Sequence, residues 1–206
     1  MTLFLQGDCL DILPTFTREC VNFVLTDPPY LARYVDRSGR SIIGDDNDAW
    51  IKPAFAEIYR VLARDSYCVS FYGWPHADRF IEAWRAAGFR IVGHLVFPKR
   101  YASNSGHLEY AHECAYLLAK GNPRSQHLIS DVLPWEYSGN KYHPTEKPLA
   151  ALRPIVEAFS APGDWVLDPF AGSGSTLLAA RQCGRDYIGI ELDSVYYEKA
   201  TKRLRY

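Results

Sequence analysis

The sequence predicts one α/β domain in three layers, with helices on both faces of a mostly parallel, doubly wound sheet. Its 206 residues suffice for one well-buried domain and are too few for two comfortable ones, so we expect residues 1–206 to form a single unit. Short apolar runs alternate with segments of helical periodicity, the pattern of α/β proteins. Several runs are apolar at consecutive positions, which indicates strands buried on both faces, as in a parallel sheet.

Seven apolar runs predict strands. They cover residues 3–6, 21–26, 67–72, 91–97, 114–119, 165–167 and 187–190. Helical spacing predicts five helices, at residues 53–62, 77–87, 149–160, 175–182 and 194–205. Gly88 ends the second helix, and Ser194 is the predicted N-cap of the last.

Two polar stretches, residues 31–50 and 99–110, carry no clear periodicity. Loops of this length in a compact domain are usually functional or disordered, so we predict two mobile loops there.

Composition limits the classes of protein to consider. The five cysteines are scattered without a Cys-x-x-Cys pair, which argues against disulfides and a metal site. No apolar run approaches the roughly 20 residues of a membrane span, and the first residues lack the basic region of a signal peptide. We therefore expect a cytoplasmic protein without a membrane partner. Because the net charge is only −1, nucleic-acid binding would need locally concentrated positive charge.

Residues 168–176 form a glycine-rich turn between a predicted strand and a predicted helix. Gly172 and Gly174 permit positive φ and close approach of a ligand, and the helix start offers free N–H groups. The turn lacks the lysine of a phosphate-binding loop and the third glycine of a dinucleotide motif. Glu191 ends the next strand, where a carboxylate suits ribose hydroxyls, and Asp8 ends the first strand, where it suits an adenine amine.

A second motif, Asp27-Pro28-Pro29-Tyr30, ends another predicted strand. The prolines have fixed φ and no N–H, so this loop is stiff and presents acceptors outward. Taken alone, it could also be a plain rigid turn. Together with the glycine-rich turn, it suits a planar base that carries an exocyclic amine.

The two motifs together resemble the beta class of DNA amino-methyltransferases, which use S-adenosylmethionine (AdoMet). The resemblance implies a circularly permuted sheet of the Rossmann-like methyltransferase type. It assigns Asp27, Pro28, Pro29 and Tyr30 to catalysis, and it implies that the segment from His143 to Pro148 grips the methionine part of AdoMet. The implied cofactor-binding residues are Asp8, Cys9, Lys147, Asp168, Pro169, Phe170, Ala171, Gly172, Ser173, Gly174, Ser175 and Glu191.

The resemblance implies methyl transfer to N6 of an adenine extruded from DNA, since the motif begins with Asp and the cytosine-N4 enzymes more often begin with Ser. Cytosine N4 remains the first alternative. More distant alternatives are an RNA or protein-amide methyltransferase and a catalytically silent nucleic-acid-binding module.

The chain departs from the family where a target-recognition region is usually inserted. Only residues 122–142 are available, so we expect weak or short-site specificity, from short loops (31–50 and 99–110 facing DNA), a homodimer or a partner subunit. The candidate DNA-contacting basic residues are Arg33, Arg37, Arg40, Lys99, Arg100, Arg124 and Lys141.

Overall fold

The computed structural model describes residues 2–33, 42–104, 106–136, 139 and 146–205. In these ranges seven strands form one sheet in the order β1-β7-β6-β2-β3-β5-β4. The strands are β1 (Thr2–Gln6), β2 (Val21–Thr26), β3 (Leu62–Phe71), β4 (Arg90–Asn104), β5 (Glu109–Lys120), β6 (Trp165–Asp168) and β7 (Asp186–Glu191). The helices are α1 (Cys9–Ile12), α2 (Ile51–Val61), α3 (Ala77–Ala87), α4 (Leu149–Phe159), α5 (Ser175–Gln182) and α6 (Ser194–Leu204).

The sheet is mostly parallel, as predicted. Strands β1, β7, β6, β2 and β3 pair in parallel, and β5 and β4 add antiparallel pairs at one side. The carboxyl ends of the parallel strands therefore meet at one edge of the sheet, where α/β proteins bind ligands.

Two apolar clusters, one on each face of the sheet, confirm the three-layer arrangement. Val24 of β2 belongs to the cluster that contains α2 and α3, while its neighbours Phe23 and Leu25 belong to the cluster that contains α4 and α5. Successive side chains of a strand point to opposite faces, and all three of these side chains are fully buried. Both faces of β2 are therefore covered.

Helix α6 shows how the strand order is permuted. It follows β7 and packs against both β7 and β1, with the Tyr197 and Phe4 rings stacked 4.7 Å apart. It thus occupies the place of a crossover helix between two neighbouring parallel strands that lie at opposite ends of the sequence. The strand that leads to Asp27 consequently precedes the strand that leads to Asp168.

The structure corrects two sequence-based expectations. Residues 99–104 and 109–110 belong to strands, because β4 runs to Asn104 and β5 begins at Glu109. The sequence of this stretch is largely polar, so it carries no alternating apolar pattern. The N-cap of α6 is Asp193 rather than Ser194, and its carboxylate accepts hydrogen bonds from the Val195 and Tyr196 amides.

Part of the 122–142 segment runs along the sheet edge. The Val96 amide donates to the Asp131 carbonyl at 2.8 Å, and the Leu133 amide donates to the Val96 carbonyl at 3.0 Å. The segment thereby covers part of the edge strand β4. Within the described ranges, no helix is long and apolar enough to cross a membrane, and no cluster of three metal-ligating side chains occurs.

Candidate active site

A cavity of about 580 Å³ lies at the carboxyl ends of β1, β2, β6 and β7. Both sequence motifs line it, although they lie at opposite ends of the sequence. The lining includes these predicted site residues: Asp8, Cys9, Asp27, Pro28, Pro29, Tyr30, Lys147, Asp168, Pro169, Phe170, Ala171, Gly172, Ser173, Ser175 and Glu191.

Asp168 braces the junction between the two halves of the site. Its Oδ1 accepts a hydrogen bond from the Thr26 hydroxyl at 2.9 Å and from the Phe170 amide at 3.1 Å. Burial raises the pKa of this carboxyl to about 7, because a charged carboxylate is poorly solvated there. Asp168 therefore fixes β6 against β2 at the point where both strands deliver their motifs.

Glu191 holds the glycine-rich turn in place. One carboxylate oxygen accepts from the Gly172 amide at 2.6 Å, and the other accepts from the Asp193 amide at 2.8 Å. Burial raises the pKa of Glu191, although these bonds oppose the shift. A carboxylate offers about four acceptor sites, so both oxygens can still accept from a ligand.

Asp8 and Cys9 border the same cavity at the end of β1. Asp8 caps α1 by accepting a hydrogen bond from the Leu10 amide at 2.8 Å. Burial raises the pKa of the Cys9 thiol to about 12, so Cys9 contributes a neutral surface.

Gly174 is the one predicted site residue outside the cavity lining. A Cβ on this residue would lie 3.3 Å from the Ala200 Cβ and 3.5 Å from Leu204 Cδ1, both on α6. Its φ of +79° also favours glycine. The structure therefore explains Gly174 by the close packing of the turn against α6, not by the approach of a ligand.

The Asp27 carboxylate has a partner on each oxygen. The Tyr30 hydroxyl donates to Oδ1 at 2.8 Å, and the Lys147 ammonium donates to Oδ2 at 2.6 Å. Burial raises the pKa of Asp27, while Lys147 and Tyr30 oppose that shift. Lys147 also lies 5.1 Å from the centre of the Tyr30 ring, so it contacts two residues of the Asp27–Tyr30 loop.

An ion pair absent from the predicted site links the two halves. Arg203 of α6 lies 2.7 Å from the Glu146 carboxylate, and both side chains are almost fully buried. Arg203 also donates to the Ser173 carbonyl and the Ser175 hydroxyl. Because Glu146 precedes Lys147, one short segment contacts Asp27 directly and is linked to the turn through Arg203.

The described part of the 31–50 stretch packs over the cavity. Trp50 stacks edge-on against Phe170 at 5.0 Å, and its indole N–H donates to the Gly44 carbonyl at 2.8 Å. The Asp45 carboxylate accepts from the Ala32 amide at 3.0 Å. No local signal in the sequence indicated these contacts.

The predicted basic contacts differ in their surroundings. Arg33, Arg100 and Arg124 are exposed, whereas Lys99 forms an ion pair with Glu113 at 2.9 Å. Arg37, Arg40 and Lys141 lie outside the described residues, as does the segment from His143 to Thr145.

Comparison with protein families agrees with this geometry. A family model described as DNA methylase matches residues 21–137 and 122–202. The chain belongs to the DNA methylase family. The methylase is 55% identical to YubD of Escherichia coli (strain K12) over 205 residues, covering 99% of the chain and 90% of that protein. It is 27% identical to the type II methyltransferase M.HinfI of Haemophilus influenzae, covering 100% of the chain and 68% of that protein.

Solved structures share the fold of the methylase. M1.HpyAVI in complex with AdoMet superposes with a TM-score of 0.81 at 22% identity, over 100% of both chains. The cytosine-N4-specific PvuII DNA methyltransferase superposes with a TM-score of 0.81 at 19% identity, over 98% of this chain and 87% of that one. Methyltransferases of this family use AdoMet.

Proposed function

We propose that the methylase transfers a methyl group from AdoMet directly to N6 of an adenine that has been extruded from DNA. The observation that carries this proposal is the convergence of the Asp27 loop and the glycine-rich turn on one cavity. A base inside a duplex cannot enter such a cavity, so extrusion is required at a cost of a few kcal/mol.

The residues of the cavity fit AdoMet. Glu191 would accept hydrogen bonds from the ribose hydroxyls, Asp8 from the adenine amine, and the turn around Gly172 would lie against the methionine part. Asp8 and Glu191 each retain free acceptor capacity beside their backbone bonds. When bound, AdoMet supplies an electrophilic methyl group on its sulfonium.

The Asp27 loop would activate the amine. The lone pair of an aromatic amine is delocalised into the ring, which makes the nitrogen a poor nucleophile. The Asp27 carboxylate and the Pro28 carbonyl would accept the two amine hydrogens and favour a nitrogen whose lone pair points at the methyl group, while Tyr30 stacks on the base. Positioning of this kind is worth roughly 7–11 kcal/mol for well-oriented reactants.

The methylated nitrogen must then lose one proton. Asp27 is the nearest acceptor, and its buried position raises its pKa, which favours proton uptake. Lys147 opposes that rise by favouring the carboxylate form of Asp27. No covalent intermediate on the protein is needed.

Cytosine N4 is the second candidate, because the cytosine-N4-specific PvuII enzyme shares the fold and the same acceptors suit either amine. The deciding experiment incubates the protein and labelled AdoMet with unmethylated DNA, followed by nucleoside analysis, with Asp27→Ala as the negative control. N6-methyladenine supports the proposal, and N4-methylcytosine replaces it with the second candidate. Absence of label on the DNA rejects both.

We also propose that sequence discrimination is weak or limited to a short site. The 122–142 segment is short, and residues 131–133 of it are bonded to the edge of β4. Short loops, a second copy or a partner subunit would supply the remaining contacts. Mapping methylated positions tests this idea, since tight discrimination by the isolated monomer would contradict it.

A further inference from the structure

We infer that Trp74 and Tyr110 form a stacking surface for unpaired DNA bases beside the loop that carries Asp27 and Tyr30. The inference rests on the proposed function and extends it to residues outside the cavity. The two rings stack at 5.3 Å with an interplanar angle of 25°, and Trp74 is 61% exposed. The fold thus presents a preformed aromatic plane to solvent.

The position of Trp74 is tied to the catalytic loop. A Cβ on the preceding residue, Gly73, would lie 2.6 Å from the Tyr30 carbonyl oxygen, so the chain leaving β3 is pressed against the Tyr30 backbone. On the other side, Arg79 of α3 forms an ion pair with Asp48 at 3.2 Å, and the neighbours of Asp48 line the cavity. The short turn Trp74–His76 therefore lies between two contacts with cavity-lining segments.

Tyr110 reaches the same place from a different strand. It lies near the start of β5, where it pairs with Ser103 of β4. Its ring stacks on Trp74, so the surface combines one aromatic ring from the turn after β3 and one from β5.

This chemistry fits unstacked bases better than a protein partner. Extrusion of a base interrupts stacking in the duplex, and an exposed indole can replace the lost contact for any base, because every base has a flat π-face. Gly73, which precedes Trp74, is pressed against Tyr30 of the cavity lining, so the stacked rings lie beside the loop that the target base would contact. A protein partner would have no need of that position.

The test compares Trp74→Ala with Trp74→Phe and uses fluorescein-labelled oligonucleotides, both single-stranded and duplex, with binding followed by anisotropy. Trp74→Ala should weaken binding of both by about tenfold or more, since one base–aromatic stack is worth that factor, while Trp74→Phe should stay within about threefold. AdoMet affinity should not change. Val92→Ala is the matched control, because Val92 is another exposed apolar residue, with 44% of its surface accessible. It lies near the start of β4, whereas Tyr110 pairs near the end of that strand, so this variant should bind like the wild type.

Unchanged oligonucleotide binding by Trp74→Ala overturns the inference, as does an equal loss in Val92→Ala. Melting curves followed by circular dichroism confirm that each variant is folded, and Tyr110→Ala provides a second variant with the same expected direction. If the wild-type protein binds oligonucleotides but methylates none, the proposed function is contradicted and the binding comparison remains valid. If the wild type binds no oligonucleotide, both the proposed function and the stacking surface are contradicted.

Discussion

Lys147 donates a 2.6 Å hydrogen bond to the carboxylate of Asp27, which lies 120 residues earlier in the sequence. The lysine side chain is 6% exposed and the aspartate side chain 22%. The Lys147 ammonium favours the charged form of Asp27 in a place where burial favours its neutral form. We therefore propose that Lys147 acts on the target amine through Asp27, in addition to the cofactor contact that the resemblance implies.

Replacement of Lys147 by Met should lower kcat and shift the acid limb of the pH–rate profile to higher pH. The reason is that Lys147 lowers the pKa of Asp27, so its removal lets burial raise that pKa further. Activity requires the carboxylate and is lost as the pH falls through this pKa, which the variant reaches at a higher pH. The measurement is kcat against pH. Lys147→Arg should retain most of the wild-type profile, and an unchanged acid limb in Lys147→Met would contradict the role.

Asp27→Ala should abolish methyl transfer while AdoMet affinity stays close to that of the wild type. Asp27 lines the part of the cavity that the target base would enter. Most of the predicted cofactor contacts lie instead at the carboxyl ends of β1, β6 and β7. Isothermal titration with AdoMet, alongside a transfer assay, tests this separation. Comparable loss of AdoMet binding would show that the two halves of the site are not separable.

Substitution of Gly174 should mainly destabilise the protein. The sequence suggests that Gly174 permits close approach of a ligand, but the structure directs a Cβ at α6. Gly174→Ala should therefore lower the free energy of unfolding through both positive φ and crowding, by more than about 1 kcal/mol. Gly163→Ala is the matched control, because its φ of +85° imposes similar strain with nothing within 4 Å of the new Cβ. Urea unfolding of both variants separates the two effects, and equal losses would remove the packing explanation.

The contrast between local and long-range features explains which parts of this molecule the sequence could predict. Helix α3 lies where periodicity placed it, because it buries one apolar face and ends at Gly88. Helix α5 is buried along six consecutive residues, and the glycine-rich turn before it marks its start. The Asp27 loop and the glycine-rich turn are contiguous motifs, so the sequence alone predicts them. The sequence does not predict the pairing of Arg203 with Glu146, because a basic residue near a helix end has the same local pattern whether its side chain is solvated or buried. The direction of the Gly174 Cβ likewise depends on where α6 packs.

The pH dependence of stability should reflect Asp168. Its pKa is about 7 in the folded protein, above the ordinary value of 3.8. The folded state therefore binds this proton more tightly than the unfolded state. The contribution of Asp168 to wild-type stability consequently falls as the pH rises from about 4 to 7. Asp168→Asn can still accept from Thr26 but does not titrate. The difference in unfolding free energy between variant and wild type should move in favour of the variant by up to about 1.4 kcal/mol per pH unit in this window. Urea unfolding at pH 5, 6 and 7 measures it, and a constant difference would contradict the assignment.

Glu146→Gln should cost the protein about 3 kcal/mol of stability, because it leaves the buried Arg203 guanidinium without its carboxylate. The exposed pair Lys52–Glu82 has the same 2.7 Å separation, but its side chains are 59% and 60% exposed. Exposed pairs contribute little, so Glu82→Gln should cost less than about 1 kcal/mol. Because Glu146 adjoins Lys147, its replacement should also lower kcat, whereas Glu82→Gln should leave kcat unchanged. Chemical unfolding and transfer assays on both variants test the two statements. Loss of stability without any change in kcat would mean that Glu146 anchors the glycine-rich turn without helping to position Lys147 on Asp27.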